Sequence, residues 1–357
     1  MIGQPPYYIY LDTQIIGCGE QICTLFDQGV FERDTVVLFK IQRTLRTLSN
    51  KIKILWLLKQ HGIRYRLIFY IDEIDSIMEG TIFYPFNAAS NTRVVANRSV
   101  RHIFVTHGES NKICSVKPII RIYDTICVAG QAGIDRYLLT QIFRADDVKN
   151  GRIQKVGDAF LGKTGLSPTG SPVIFYAPTW EGQAESENYC SLFDAETVVE
   201  SIFQAACTHE IKTILIKPHP NIGYRKSATI NALISLIDAL KNKGLDVLLT
   251  GNHALNFYQT WKLKKATPYV AIGDYSAVLG FCDISAMETL LLNENIPYYL
   301  FSAEKHTGVQ CLNFTQADNP YGRYYQNAKI VLGKTTELKP IRQNDFIQLK
   351  NYVIHSL

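Results

Sequence analysis

The sequence contains 357 residues, of which 46% are hydrophobic and 19% are charged. These proportions are typical of a globular protein and exclude an intrinsically disordered chain, and the length favours two domains. The formal net charge of +5 is mild, so it permits an anionic partner without requiring one.

The cysteines and the N-terminus indicate a cellular compartment. Eight cysteines are scattered without a CxxC pair, and several lie in apolar runs. Buried thiols in a reducing cytoplasm explain this pattern better than disulfides do, and no Cys/His cluster has zinc-ligand spacing. The N-terminus lacks the features of a signal peptide, and no apolar run approaches the roughly 20 residues that span a bilayer. The sequence therefore predicts a cytoplasmic protein that could meet the inner face of the cell membrane only from its surface.

The first half of the chain alternates short apolar runs with helical segments. Such buried, non-alternating runs are typical of parallel strands that are covered on both faces. A helical pattern extends from about 43 to 61, and another begins at Gly133. We predict strands at 7–11, 35–39, 66–71, 101–106 and 125–129.

A Gly/Pro/Ser-rich segment at 162–172 breaks both helix and strand, so we place a linker there between domains at 1–161 and 173–335. The alternation then restarts. Two such units give the predicted fold class, α/β with two Rossmann-like doubly wound domains facing a cleft (GT-B). A helical tail at 336–357 could pack back on the N-terminal domain. In the second half we predict strands at 173–177, 213–217, 246–249, 269–273 and 297–301, and helices at 195–207, at 228–243 and from Ser276 onward.

Four groups of polar residues follow predicted strands. In open α/β sheets, ligands bind beyond the carboxyl ends of the strands, so these groups are the candidate site. They are Thr106–Glu109 with Lys112, Tyr176–Trp180, Lys217–Pro220 and Gly273–Ser276.

In this order the four groups resemble the motifs of the CDP-glycerol glycerophosphotransferase family, whose members prime and polymerise wall teichoic acids and have relatives in capsule synthesis. The resemblance spans about Thr106 to Phe301. The chain departs from the family pattern at several points. Glu181 and Ala277 stand where the family has an arginine and a second serine, 156–160 contains no arginine, and 306–308 replaces an Arg-Gly element. The resemblance therefore implies the fold and nucleotide handling more firmly than the glyceryl group.

His107 follows a buried-looking strand and precedes Gly108, which lets a substrate approach the backbone. Histidine is a suitable general base because its pKa lies near neutrality. The resemblance implies that His107 deprotonates the acceptor hydroxyl, whereas the alternative is a loop histidine bonded to backbone. Lys112, with Glu109 beside it, is a candidate acceptor or phosphate contact, although a solvated surface lysine fits the sequence nearly as well.

In the second half, prolines on both sides fix the backbone around His219. The resemblance implies that His219 contacts the phosphates of the donor, and a structural Pro-His-Pro turn is the alternative. We expect Asp274 and Ser276 at a helix N-terminus, where backbone amides bind a diphosphate, although both residue types also cap helices. The remaining candidates for donor binding are Thr179, Lys217 and, for the ribose, Glu288.

Two further patterns have competing interpretations. Residues 157–164 match a P-loop letter for letter, but Gly165 and Pro168 prevent the helix that a working P-loop requires. Residues 40–66 contain eight basic and no acidic residues among apolar ones. Such a stretch could bind an anionic membrane or a polyanion, or it could be a helix that packs on the sheet and turns its lysines to water. No nucleic-acid recognition module is present.

The sequence thus predicts a transferase that moves a glycerol-phosphate or related polyol-phosphate group from a CDP-linked donor to a glycan, lipid-linked or teichoic-type acceptor. We expect no cofactor and no metal, because histidines and helix amides would stabilise the leaving phosphate. One alternative is a GT-B glycosyltransferase that uses a nucleotide sugar in capsule or surface polysaccharide synthesis. A second is a non-catalytic GT-B binding module.

Overall fold

A computed structural model describes residues 6–41, 45–106, 108–110, 112–157, 160–182, 188–251, 255, 257–304 and 308–313. These residues form two compact units. The first contains the described residues up to Glu109 and Val116–Gly162, and the second contains Ser110–Ser115 and the described residues from Lys163 to Asn313. The tail predicted at 336–357 lies outside the described residues.

The first unit is built on a seven-stranded sheet in the order β3-β2-β1-β4-β5-β6-β7, in which all neighbours are parallel. The chain runs outward from β1 to β3 and then returns to the other side of β1, which is the doubly wound topology. Its strands are β1 (Tyr7–Leu11), β2 (Val36–Lys40), β3 (Tyr65–Ile68), β4 (Thr81–Tyr84), β5 (Arg101–Phe104), β6 (Thr125–Val128) and β7 (Ile153–Lys155).

Helices in this unit connect the parallel strands. They are α1 (Ile16–Asp27), α2 (Leu45–Gln60), α3 (Asn91–Val94), α4 (Gln131–Leu139) and α5 (Ala145–Lys149). Helix α1 buries Ile22 and Phe26 against the same cluster that receives Ile54 and Leu58 of α2. Since both helices are amphipathic, burial of these apolar side chains holds them on the sheet.

The second unit has a six-stranded sheet in the order β10-β9-β8-β11-β12-β13, and only β13 is antiparallel to its neighbour. Strand order reverses between β8 and β11, so that gap is the topological switch point. The strands are β8 (Ser171–Ala177), β9 (Thr213–Ile216), β10 (Asp246–Leu249), β11 (Tyr275–Asp283), β12 (Tyr298–Glu304) and β13 (Gly308–Asn313), and the helices are α6 (Ala195–Thr208), α7 (Ala228–Asn242), α8 (Phe257–Ala266) and α9 (Ala286–Asn293).

The packing of β8 explains why residues 173–177 are continuously apolar. Ile174 and Tyr176 face one buried cluster, together with residues of α6 and α7. Val173 and Phe175 face a second cluster that contains Leu291 of α9. Because successive side chains of a strand point to opposite faces, a sheet that is covered on both sides requires every position to be apolar.

Two sequence predictions in this unit are wrong. The predicted strand at 269–273 is an isolated bridge at Tyr269 followed by a 3-10 turn, Ile272–Asp274. The helix predicted from Ser276 is instead strand β11, and the helix begins ten residues later at Ala286. The run from Ala277 to Cys282 is apolar and pairs with β8, so the buried strand prevails over the helical pattern.

Candidate functional site

The carboxyl ends of β8, β9 and β11 lie at one edge of the second sheet, next to its switch point. Parallel strands end at the same edge, and open α/β sheets bind ligands there. The segments that follow these strands are Pro178–Glu181, Lys217–Pro220 and Ile284–Ala286. The second unit therefore collects the polar residues of the candidate site at this edge.

Thr179 links two charged side chains at the switch point. Its hydroxyl accepts a hydrogen bond from the ammonium of Lys112 at 2.6 Å, and its N–H donates to Oδ2 of Asp283 at 2.7 Å. All three residues are buried. Lys112 belongs to Ser110–Ser115, the segment of the first half that lies in the second unit. The structure therefore places a buried cation at this edge, where a phosphate would be stabilised.

Asp283 is the last residue of β11 and is fully buried. Its Oδ2 also accepts from the N–H of Ser191 at 3.2 Å, while its Oδ1 has no hydrogen-bond partner among the described residues. Burial raises the pKa of this carboxyl to about 6. Asp283 thus fixes two backbone segments of the site. Asp283 is not among the residues expected from the sequence, although an aspartate that closes an apolar run was a detectable signal.

His219 stacks on Trp180, with ring centroids 5.8 Å apart and planes 16° apart. The N–H of His219 donates to the carbonyl of Pro178 at 3.0 Å, and its Nδ1 accepts from the N–H of Asn221 at 3.0 Å. Because Nδ1 accepts, the ring proton is carried by Nε2 in this arrangement. The imidazole is therefore held by two neighbouring strand ends with an N–H donor on Nε2.

Glu181 has a defined role that the sequence did not indicate. Its buried carboxylate accepts hydrogen bonds from the backbone N–H groups of Gly223, Arg225 and Lys226, at 2.8 to 3.0 Å. Glu181 therefore anchors the loop that follows His219. An arginine at this position, as in the resembling family, would carry no acceptor for these three donors.

Helix α9 begins at the same edge, directly after β11. Ser285 precedes its first residue, and the hydroxyl of Ser285 accepts from the N–H of Met287 at 3.2 Å. Glu288 lies in the first turn and is buried. The N-terminus of a helix presents free N–H groups and positive potential, so this is the helix terminus that can bind a diphosphate. Ser285 is not among the residues expected from the sequence, because the helix was predicted to begin at Ser276.

Asp274 and Ser276 lie at the opposite end of β11. Ser276 pairs with Pro172 at the start of β8, and Asp274 closes the preceding 3-10 turn. Asp283 lies seven residue steps along the strand from Ser276, which is roughly 23 Å at ~3.3 Å per residue. The expectation that these two residues bind a diphosphate at a helix N-terminus therefore rested on a helix that is a strand, and neither residue belongs to the carboxyl edge.

Lys217 follows β9, and its ammonium donates to the carbonyl of Thr164 at 2.7 Å. Thr164 in turn bonds through its N–H and its hydroxyl to the carboxylate of Glu294. No helix follows Thr164 before β8, as predicted from Gly165 and Pro168. The P-loop-like motif at 157–164 therefore lacks the helix that a working P-loop requires at its lysine. Lys217 holds this segment in place.

In the first unit, His107 lies outside the described residues. Its neighbour Thr106 has φ of 59° and Gly108 has φ of 150°. A β-branched residue at positive φ is strained, and such strain often occurs at functional sites. Glu109 accepts from the N–H of Ala129 at 2.6 Å and pairs with Arg136 at 3.0 Å. The carboxylate of Glu109 therefore has structural partners within the first unit.

The basic stretch at 40–66 contains helix α2. Lys51 is buried, and its ammonium bonds to the carbonyl of Lys40 at 2.5 Å and to Asp12 at 3.3 Å, so it cannot face a membrane. Ile52 and Trp56 are instead 55% and 58% exposed. Lys53 and Lys59 are exposed beside them. The outer face of α2 thus combines two apolar side chains with lysines.

Within the described ranges, no group of three or more His, Cys, Asp or Glu side chains is placed to hold a metal ion. None of the helices described is both long enough and apolar enough to cross a membrane.

Comparison with solved structures identifies the fold. HepE from Anabaena, solved in complex with UDP-glucose, is similar over 99% of this chain and 100% of its own, with 12% identity and a TM-score of 0.52. MnaA from S. aureus, solved with UDP, is similar over 97% of this chain and 90% of its own, with 7% identity and a TM-score of 0.46. A UDP-GlcNAc 2-epimerase from Neisseria meningitidis, bound to UDP-GlcNAc, is similar over 97% of this chain and 93% of its own, with 9% identity and a TM-score of 0.44.

The predicted fold class, α/β with two Rossmann-like units of the GT-B type, is confirmed. No protein-family model matches the sequence, and no curated protein matches it.

Proposed function

We propose that this protein is a GT-B glycosyltransferase that binds a nucleotide-diphosphate sugar at the carboxyl edge of its second sheet. The observation that carries the proposal is the buried Lys112 ammonium bonded to Thr179 at the switch point of that sheet. His219 and the N-terminus of α9 follow neighbouring strands at the same edge. Together they offer a cation, an N–H donor and helix amides, which are the groups that hold a diphosphate without a metal.

The solved structure of HepE with UDP-glucose supports the same donor class, because that protein shares the two-unit fold over its whole length. The nucleotide-sugar alternative therefore becomes the leading function. The acceptor would be a glycan or a lipid-linked glycan, as expected from the sequence.

In the proposed reaction, a hydroxyl oxygen of the acceptor attacks the anomeric carbon of the donor sugar. The bond between that carbon and the phosphate oxygen breaks, and the nucleoside diphosphate leaves with the bonding electrons. Lys112 and Nε2–H of His219 would stabilise the negative charge that grows on the leaving phosphate. His107 is proposed to take the proton of the acceptor hydroxyl, which is the role that the sequence suggests.

Transfer of glycerol phosphate from a CDP-linked donor is the second candidate. The order of the His-Gly, YAPTW, His-Pro and Asp-Tyr-Ser motifs favours it. Two structural observations weigh against it, because Ser276 lies roughly a strand length from the carboxyl edge and Glu181 anchors a loop where the resembling family has an arginine. Both candidates use the same edge for a nucleoside diphosphate.

A donor screen separates the two candidates. The purified protein is incubated with UDP-, GDP- and CDP-linked sugars or with CDP-glycerol, and release of the nucleotide is measured with and without a glycan acceptor. We expect release from a nucleotide sugar that rises with the acceptor. Release from CDP-glycerol but from no nucleotide sugar would establish the second candidate. No nucleotide release from any of the donors would contradict both candidates.

We also propose that the outer face of α2 contacts an anionic membrane. Trp56 and Ile52 are exposed on that face, and Lys53 and Lys59 accompany them, which is the composition of an interfacial helix. Flotation with anionic and neutral vesicles tests this. Trp56→Ala with Lys53→Gln should reduce binding to anionic vesicles, and so should salt, because exposed charges are screened beyond ~10 Å at 0.1 M. Unchanged flotation would contradict the contact.

A further inference from the structure

Helix α8 turns a stripe of aromatic and basic side chains outward. Tyr258, Trp261, Lys262 and Lys265 are spaced i, i+3, i+4 and i+7, which places them on one face. That spacing usually carries the apolar residues that face a core. In α8 the inward positions are Gln259 and Leu263, which are buried, whereas Tyr258 and Trp261 are 60% and 49% exposed.

The stripe is organised before any ligand binds. The rings of Tyr258 and Trp261 have centroids 6.1 Å apart and planes 20° apart. The ammonium of Lys262 lies 4.8 Å from the centroid of Tyr258, and that of Lys265 lies 5.6 Å from the centroid of Trp261. Each exposed ring is therefore accompanied by a cation, and these contacts reduce the freedom that the side chains would lose on binding.

The surrounding chain is strongly basic. Residues 217–266 contain eight lysines or arginines and two aspartates. The net charge of this segment is therefore +6 (eight minus two), which exceeds the +5 of the whole chain. Arg225 and Lys226 are exposed, and the side chain of Gln259 donates to the carbonyl of Gly223 in the same loop at 3.4 Å. The positive charge of this loop and that of α8 are therefore neighbours, and their complement is an anionic ligand.

The same loop connects the stripe to the candidate donor site. Glu181 accepts the N–H of Gly223, and Glu181 directly follows Trp180, the residue on which His219 stacks. Helix α8 is thus joined, through the inward side chain of Gln259 and the loop at Gly223, to the carboxyl edge of the second sheet.

We propose that the α8 stripe (Tyr258, Trp261, Lys262 and Lys265) binds an anionic glycan chain. Aromatic faces are negative and attract the polarised C–H groups of sugar rings, while the lysines pair with phosphate or carboxylate groups along the chain. An anionic membrane fits less well, because α8 exposes no aliphatic side chain larger than alanine among its described residues, whereas α2 exposes Ile52 beside Trp56. Interfacial helices insert such residues. Resting on the proposed function, this names the acceptor class as an anionic glycan.

The test uses dextran sulfate as the probe, with neutral dextran and inorganic polyphosphate for comparison, in fluorescence binding titrations of the full chain. Two double variants divide the stripe, namely Tyr258→Ala with Trp261→Ala and Lys262→Gln with Lys265→Gln. The matched control is Phe193→Ala with Lys212→Gln, which removes an exposed aromatic ring and an exposed lysine of the same unit outside α8. All substituted side chains in α8 are at the surface, and thermal unfolding monitors that each variant folds.

Dextran sulfate should bind the wild-type protein, and each α8 double variant should weaken that binding roughly 10-fold, while the control variant at Phe193 and Lys212 leaves it unchanged. Neutral dextran and polyphosphate should each bind more weakly, because each lacks one of the two chemistries. The proposal is overturned if both α8 variants bind dextran sulfate as tightly as the wild type does. It is also overturned if polyphosphate binds the wild type as tightly as dextran sulfate does, or if the α8 variants lose binding to anionic vesicles and not to dextran sulfate. UDP binding, measured in parallel, separates a failure of this proposal from a failure of the donor site.

Discussion

The imidazole of His219 lies on the indole of Trp180, with the two planes 16° apart, although the residues follow different strands of the second sheet. Stacking fixes the plane of the imidazole, and the hydrogen bond from Asn221 to Nδ1 fixes its rotation. The ring proton is then carried by Nε2, and we propose that a donor phosphate accepts it.

This arrangement predicts a difference between two substitutions of His219. His219→Ala should weaken UDP binding roughly 10-fold or more, because a charge-assisted hydrogen bond contributes ~1.5–3 kcal/mol. His219→Gln keeps an amide N–H donor near the position of Nε2 and should recover part of the affinity. Isothermal titration with UDP measures both, and His209→Ala, an exposed histidine in the same unit, is the matched control. Equal affinities for the two His219 variants and the wild type would remove His219 from the site.

Lys112 should contribute to donor binding through its charge. Lys112→Met keeps the buried methylene stem but removes the ammonium that donates a hydrogen bond to Thr179, so UDP affinity should fall roughly 10-fold, and thermal unfolding checks that the variant folds. Lys149→Met, at an exposed position in the first unit, is the control. A Lys112→Met protein that binds UDP as tightly as the wild type would show that this cation serves only the fold.

A general base acts on the chemical step, so His107→Ala should leave UDP affinity nearly unchanged and reduce turnover. The expected loss is about 10²–10⁴-fold. Nucleotide-release kinetics with the correct donor and acceptor, paired with titration of UDP, separate the two effects. Near wild-type turnover would place the base elsewhere.

The raised pKa of Asp283 predicts a pH-dependent stability. An aspartate with an ordinary pKa of 3.8 that is raised to about 6 on folding favours the folded state below pH 3.8 and loses that contribution as pH rises through 6. The loss is roughly 2–3 kcal/mol, because each pKa unit corresponds to ~1.4 kcal/mol.

Asp283→Asn cannot ionise and keeps an oxygen that can accept from Thr179 and Ser191. Its free energy of unfolding should therefore increase relative to that of the wild type between pH 4 and pH 7, because only the wild type loses stability over this range. Urea denaturation at several pH values measures this, with Asp238→Asn, an exposed position on α7, as control. Parallel pH profiles for Asp283→Asn and the wild type would contradict the assignment.

Much of the fold was predictable because buried parallel strands leave a direct signature. The runs at Tyr7–Leu11 and Asp246–Leu249 were predicted with the bounds that the structure has. Strand β4 was missed because Thr81–Tyr84 is a four-residue run without distinctive flanks. Strand β11 was misread as a helix because Asp-Tyr-Ser looks like a cap, and only pairing with β8 shows that the following residues are a buried strand.

The wrong prediction of a helix in place of β11 also determined which site residues were predicted from the sequence. His219 and Thr179 follow correctly predicted strands, and both lie at the carboxyl edge. Ser276 and Asp274 were chosen from a local pattern, whereas Ser285 could be recognised only once the end of β11 was known. The partners of Glu181 are backbone amides more than 40 residues away, and no local pattern specifies such long-range hydrogen bonds.

The central claim, that a nucleoside diphosphate binds at the carboxyl edge of the second sheet, is tested most directly by comparing two serines at opposite ends of β11. Isothermal titration of UDP is carried out on the wild type, Ser285→Ala and Ser276→Ala, with thermal unfolding to check each fold. We predict that the wild type binds, that Ser285→Ala weakens binding several-fold by removing a hydroxyl at the start of α9, and that Ser276→Ala has no effect. Weakening by Ser276→Ala with no effect of Ser285→Ala, or no binding of UDP, CDP or GDP by the wild type, would contradict the account.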